Sequence, residues 1–268
     1  EAKGIVLPEA ENPKYLLQEN SLTDNENFLM IKKISDEIVV PLEKAGMTMD
    51  DMGEYLLLKR IQNERTEIAN PFGHTPATAT KQLEHLKKEV GPDNYKLLET
   101  KLQKFHDIVF KSVEQAVKDG SYNKELFETK IKPNKDTYAS FAVVDYMQDF
   151  IPATVKAQVG TLKEVANPLN TTILKTVALN RLNALQRAKN GTIKLLTEHF
   201  APDIQKSKTL TTDGKLKIFK TPVEKGRIEV LEDGKMAGYD VDPYIAEVFN
   251  KSKVGDLNVM VHLLSLFN

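Results

Sequence analysis

With 268 residues, 41% of them hydrophobic and 28% charged, the chain can bury one substantial core, or a larger and a smaller one, and stay in solution. It has no cysteine, which excludes disulfides, a thiol nucleophile and thiolate metal sites, and fits a reducing compartment. The net charge of −1 conceals an asymmetry: residues 154–227 hold fourteen Lys or Arg against Glu164, Glu198, Asp203, Asp213 and Glu224, a local +9 that leaves −10 elsewhere. Three explanations fit such a segment: a polyanion partner, an acidic face within the chain or on a partner domain, or a lysine-rich solvated surface.

The start, EAKGIVLPEAENP, lacks the charged-then-apolar layout of a signal peptide and lacks a methionine, so the chain is expected to be cut from something longer. Residues 1–20, rich in Pro, Glu and Asn, read as an extended arm. From Ser21 onward Phe28, Ile31, Ile34, Ile38 and Leu42 fall at helical spacing, with Pro41 as a kink and Gly46 as the stop. Thr48 followed by Asp51 reads as a capping box for a helix that carries Tyr55, Leu58 and Ile61 inward and ends near Ala69.

The stretch NPFGHTP then stops one helix and starts another, Thr75 capping and Pro76 taking the first helical position. That helix ends at Gly91. Pro92 opens a longer one through Tyr95, Leu98, Leu102, Phe105, Val109 and Val113 to Gly120, and a short helix follows Asn123. In DTYASFAVVDYM helix and strand compete, and the flanking helices favour helix. Asn167-Pro168 starts a helix through Leu174, Val177, Ala178, Leu182 and Leu185, which Asn190-Gly191-Thr192 should stop and recap.

After Pro202 the texture changes. KLKIFKTP and GRIEVLEDGKMAGYDVD read as short antiparallel strands joined at Asp233-Gly234; Asp242-Pro243 caps a short helix, and Asp256 begins an apolar one. The predicted fold is mainly α: a helical bundle over 21–205 with a small C-terminal β-hairpin/α appendage over 206–268. No apolar run approaches the roughly 18–20 residues that cross a bilayer, so a membrane is not expected among the partners.

Few residues suggest chemistry. The histidines, His74, His85, His106, His199 and His262, form no HExxH or His-x3-His pair, so no metal is implied. No P-loop, GxGxxG or GxSxG occurs, and nothing implies a cofactor or a catalytic residue. Two clusters stand out. In LLLKRIQNERTEIANP, Arg60 and Glu64 are four apart and can pair along one helix face, Arg65 lies on another edge, and Asn70 ends the helix. This is either a salt-laced helix end that locks a joint, or an anion or partner site made of Arg60, Arg65 and His74. The second cluster is the stripe Thr176, Asn180, Asn183, Arg187, Asn190 and Lys194, with Arg181 beside it. It reads as the wet side of a helix or, given three asparagines in a poor helix-forming context, as a recognition surface. No aromatic residues interleave with it to stack bases.

The strings NERTEIANPFGHTP, KDTYASFAVVDYM, and VGTLKEVANP with LKTVALNRL resemble, in this order, helical regions of the very large polyvalent proteins of phages and integrative mobile elements. GKMAGYDVDPYIAEVF resembles the strand-and-helix segment that follows there, and the resemblance covers roughly residues 50–250. It implies a non-catalytic interaction or scaffolding module whose partners are other domains of a parent protein or phage and element proteins. It also implies a chain that is cytoplasmic, or packaged in the virion and delivered with the element's DNA. Two alternatives remain: a nucleic-acid-contacting module using residues 154–227, and a hydrolase-like enzyme with an unrecognised site.

Overall fold

The computed structural model describes residues 8–9, 12–63, 70, 72–137, 167–199, 204–212 and 216–251. The chain is mainly α-helical, with a small antiparallel sheet near its C-terminal end. Contacts divide it into two compact units, the larger of Glu26–Glu114, Glu128–Leu179 and Leu257–Asn268, the smaller of Glu1–Asn25, Gln115–Phe127 and Asn180–Asp256. The divisions among the described residues fall within the helices Pro13–Ile34, Pro92–Lys118 and Pro168–His199 and within the π turn Phe127–Ile131.

Helix α1 (Pro13–Ile34) begins inside the expected arm. The Asn12 side chain accepts from Lys14 N–H at 3.0 Å, and Leu16, buried, gives the first turn something to pack. A π turn (Ser35–Val39) and α2 (Val40–Lys44) follow without a break. Ile31, Ile34, Ile38 and Leu42 are buried as their spacing predicts, but Phe28 is 41% exposed and falls off that face. Pro41 has no N–H to give the Glu37 carbonyl four residues back, and Lys101 Nζ donates to that carbonyl at 2.8 Å instead. The chain leaves α2 through Gly46 at φ +86°, with Gly46 N–H to Glu43 O and Met47 N–H to Leu42 O closing the turn at 2.9 and 3.1 Å.

The capping box at Thr48 is present: Thr48 N–H donates to Asp51 Oδ2 at 2.6 Å, and Asp51 N–H to Thr48 Oγ1 at 3.2 Å. It opens α3 (Met49–Asn63), whose Tyr55, Leu58 and Ile61 are buried; its expected end near Ala69 lies outside the described residues. Helix α4 (Pro76–Val90) is capped by Thr75 and ends at Gly91, and α5 (Pro92–Lys118) buries Tyr95, Leu98, Leu102, Phe105, Val109 and Val113. The larger unit's core joins Tyr55, Leu58 and Ile61 of α3, Ala79, Leu83 and Leu86 of α4, and Tyr95, Leu98, Leu102, Phe105 and Val109 of α5 to Ile34, Ile38, Leu42 and, from the first part of α7 (Pro168–His199), Leu169, Ile173 and Val177. DTYASFAVVDYM lies outside the described residues except Asp136 and Thr137, which end a 3-10 turn (Lys132–Thr137).

In the smaller unit Asn123 caps α6 (Lys124–Leu126), its Oδ1 accepting Leu126 N–H at 2.8 Å. Strand β1 (Gln205–Lys206) pairs with β5 (Lys235–Val241), which pairs with β4 (Gly226–Glu232); β2 (Lys208–Thr212) and β3 (Leu216–Lys220) form a separate ribbon. The β4–β5 turn is the one Asp233-Gly234 predicts: both residues take positive φ, 50° and 73°, and Glu232 faces Lys235. Gly234 is also needed for space, since a Cβ there would meet Asn123 N at 2.8 Å. Asp242 caps α8 (Pro243–Lys251) by accepting from Tyr244 N–H at 2.8 Å. The sheet is not a free appendage: Ile228, Val230, Ala237 and Val241 share a core with Leu16, Leu185, Ala188 and Ile193. The apolar helix expected from Asp256 lies outside the described residues.

The Lys101 contact yields a contrast. Lys101→Met, which strips the only side-chain donor the Glu37 carbonyl has among the described residues, should lower unfolding free energy by about 1 kcal/mol in urea titrations. Lys104→Met, which removes only an exposed pair with the Glu37 carboxylate, should change nothing measurable. Equal effects would show that the carbonyl does not depend on Lys101.

Candidate functional site

NPFGHTP is first of all a joint. Asn70 is buried, and its side chain braces the loop twice: Nδ2 donates to His74 O at 2.8 Å, and Oδ1 accepts His74 N–H at 2.9 Å. Gly73 turns the chain at φ +63°. Thr75 and Thr78 form a reciprocal cap on α4, and Gln62 of α3 donates to Thr80 of α4 at 3.1 Å. With the His74 backbone held in this way, its imidazole lies 5.9 Å from the Phe72 ring, centroid to centroid, at an angle of 31°.

The joint also forms one wall of a cavity of about 380 Å³ in the larger unit, lined by Asp50, Gly53, Glu54, Leu57, Leu58, Phe72, His74, Asn167 and Pro168. The opposite wall is fixed by Asn167, whose Nδ2 donates to Met49 O at 2.8 Å and whose Oδ1 caps α7 through Leu169 N–H at 2.9 Å. Asn167 presses so closely on α3 that a Cβ at Gly53 would lie 2.5 Å from its Nδ2. At the mouth stand Phe72, 60% exposed, and the carboxylates of Asp50 and Glu54, four residues apart on one face of α3 and without an ion-pair partner among the described residues. Two carboxylates, an imidazole and a ring above an apolar floor can hold a cation; no nucleophile adjoins a base there.

The cavity gathers one predicted site residue, His74. Asn70 braces it from behind. Arg60 lies further along α3, and burial first, then the Arg60 charge, push the Lys175 ammonium of α7 down to about 8. Glu64 and Arg65 lie outside the described residues, so their expected roles with Arg60 do too. Asp50, Glu54, Phe72 and Asn167 are absent from the predicted set. The Asp50/Glu54 spacing and the phenylalanine inside NPFGHTP are the signals that could have pointed to them.

The polar stripe is not a wet face. Helix α7 runs unbroken through Asn190-Gly191-Thr192 to His199, and the expected stop is absent. Thr176, Arg181 and Asn183 are buried, while Lys194 is exposed. In the smaller unit Arg187 joins Glu19 and Asp119, each at 3.0 Å, and Arg181 Nε reaches Asp24 at 2.6 Å. Asn190 Nδ2 donates to Asp119 O at 3.0 Å, Gln186 to Leu231 O at 2.9 Å, and Lys189 to Glu229 O at 3.0 Å. The helix continues through Asn190, whose Nδ2 is taken up by that tertiary contact while its Oδ1 accepts Gln186 Nε2 one turn back at 3.1 Å. Lys206 pairs with Glu232 and Arg227 with Glu229, so all three arginines and one lysine of the basic segment answer carboxylates of their own unit. A shallower cavity of about 240 Å³ gathers Lys118, Asp119, Arg187, Asn190 and Lys194, but its arginine is already occupied by two carboxylates.

Neither protein-family models nor curated proteins nor solved structures yield a match to this chain. Among the described residues no group of three His, Asp or Glu gathers as a metal site requires, and no helix is long and apolar enough to cross a membrane.

Two outcomes follow from these contacts. Asn70→Ala removes both braces and should lower unfolding free energy by about 1–2 kcal/mol in chemical denaturation; unchanged stability would show that Asn70 does not hold the joint. Asp119 is held above its ordinary value of 3.8 chiefly by burial, against the pull of Gln115 and Arg187. Between the ordinary and the raised value the folded state binds more proton than the unfolded one, so this group's contribution to stability falls as pH rises through that window. Arg187→Met should push the window upward and cost about 3 kcal/mol at pH 7, with a smaller loss at pH 4. A loss independent of pH would show that the Asp119 charge is not what Arg187 serves.

Proposed function

We propose that this chain is a non-catalytic interaction module that receives a segment of a partner protein in the cleft between the α3–α4 joint and the start of α7. One observation carries this reading: an exposed Phe72 and two carboxylates without a counter-charge among the described residues stand over an apolar floor, on backbone that Asn70 and Asn167 hold in place. Preformed concave sites of mixed character are where ligands bind, and about 380 Å³ lies near the lower end of their range of roughly 300–1,000 Å³, enough for a side chain or two. On the resemblance to polyvalent proteins of phages and mobile elements, the segment belongs to another domain of the parent protein or to a phage or element protein. The whole is then carried with the element's DNA into the recipient cytoplasm. The alternative of nucleic-acid contact through residues 154–227 is disfavoured by the ion pairs of Arg181, Arg187, Lys206 and Arg227.

A random peptide-display library panned on the whole chain tests the proposal. Enriched peptides should share a motif, bind in calorimetry, and lose at least tenfold in affinity to Phe72→Ala. Enriched peptides that bind Phe72→Ala as well as wild type, or no enrichment at all, would overturn it.

A further inference from the structure

We infer that the cleft's occupant is an arginine side chain carried on an apolar stretch of the partner, its guanidinium set between Asp50 and Glu54 and its flat face against Phe72. The inference rests on the docking reading above and names the chemistry that the site selects.

The cleft treats each class of occupant differently. An apolar segment would cover Leu57, Leu58 and Pro168 well, but it would strip water from two carboxylates that have no counter-charge among the described residues. Burying even one unpaired carboxylate costs several kcal/mol, so a purely apolar occupant is selected against. An anionic segment or a nucleic-acid phosphate would meet two like charges at the mouth. A cation answers both carboxylates at once.

The choice among cations follows from shape. Asp50 and Glu54 lie one helical turn apart on the same face of α3, where neighbouring side chains start about 5–6 Å from each other. A guanidinium offers five donors in a planar fork and can serve both carboxylates, while an ammonium is a compact, strongly hydrated point charge. Phe72 and His74, tilted 31° from each other, form a short aromatic shelf beside these carboxylates. A planar cation stacks on such a ring, and the contact strengthens when water is excluded. The remaining floor is aliphatic and suits the arginine methylenes and an apolar neighbour.

The shelf is held in place beforehand. The Asn70 braces fix His74, and the Asn167 bonds to Met49 O and Leu169 N–H fix the facing wall, so the occupant does not have to order the site.

The probes are acetylated, amidated pentapeptides Gly-Leu-Arg-Leu-Gly and the same peptides with citrulline or lysine at the centre. Each is titrated into the isotope-labelled chain, with the amide shifts of Gly53, Phe72 and His74 as the readout. The arginine peptide should shift these amides and bind at least tenfold more tightly than the citrulline peptide, with lysine in between. Asp50→Asn and Glu54→Gln should each weaken the arginine peptide severalfold and leave the citrulline peptide unchanged, while the melting temperature falls by no more than about 2 °C. Equal affinity for arginine and citrulline, indifference to both carboxylate substitutions, or no shift up to millimolar peptide would overturn the inference. The two proposals fail separately. If library peptides without arginine still depend on Phe72, the cleft is a docking site and only the arginine assignment falls. If Phe72→Ala changes nothing, both fall.

Discussion

A charge taken out of water has to meet its opposite, and in the smaller unit that requirement falls on Arg187. Its guanidinium lies between Glu19 of α1 and Asp119 at the end of α5, and Asp119 is nearly inaccessible to solvent. The surrounding contacts depend on this pairing. Asn190 donates to the Asp119 carbonyl, Gly234 N–H donates to Gly120 O, and the Asp233 carboxylate accepts both Asn123 Nδ2 and Lys124 N–H, so the hairpin tip also caps α6. The Asn190 bond serves a part-buried carbonyl, which would be costly to leave without a partner, while the Asp233 bonds lie at the surface and fix the turn against α6. The arginines of the segment richest in positive charge are thus held by acids of their own unit.

The larger unit handles its polar groups differently. There several buried or half-buried polar side chains brace backbone: Lys101 for the carbonyl that Pro41 leaves open, Asn94 for Ala45 O, Asn70 for the joint, Asn167 for the starts of α3 and α7. Against this background Asp50 and Glu54 stand apart. They face a cavity and serve neither a brace nor an ion pair among the described residues. A carboxylate early in a helix gains a few tenths of a kcal/mol from the helix dipole, and Asp50 has that reason to be there. Glu54, a turn further along and four residues from a like charge, does not share it to the same degree. That contrast is why the cleft, rather than the basic stripe, is the better candidate for function.

Local signals were legible in the sequence wherever a single turn of chain contains both the cause and its effect. The Thr48/Asp51 box, Pro76 and Pro92 at helix starts, Gly46, Gly91 and Gly120 with positive φ at helix ends, and the Asp233-Gly234 turn all appear as their residues demand. The periodicity of Ile31, Ile34, Ile38 and Leu42, and of Tyr95 through Val113, likewise determined which face each helix buries, because a period of 3.6 leaves one apolar stripe.

Tertiary structure decided what depends on a distant partner. Asn190-Gly191-Thr192 carries the letters of a helix stop, yet the helix continues, with Asn190 engaged by Asp119 some seventy positions away in the chain. The stripe from Thr176 to Arg187 looks solvent-facing by composition and is largely buried, its two arginines meeting acids from other elements and Thr176 turning back to its own helix at Thr172 O. The start of α1 at Pro13 depends on Leu16 finding Leu185 and Ile228 to pack with, which no local pattern reports. The cleft was hidden for the same reason: Asp50 and Glu54 become a site only once Phe72, His74 and Pro168 are brought opposite them. The sequence by itself determined where helices begin, end and turn their apolar faces, since those are contests within a few residues. Which polar residues are buried, which are spent on partners and which are left facing a cavity was decided by the fold, since that accounting closes only across the chain.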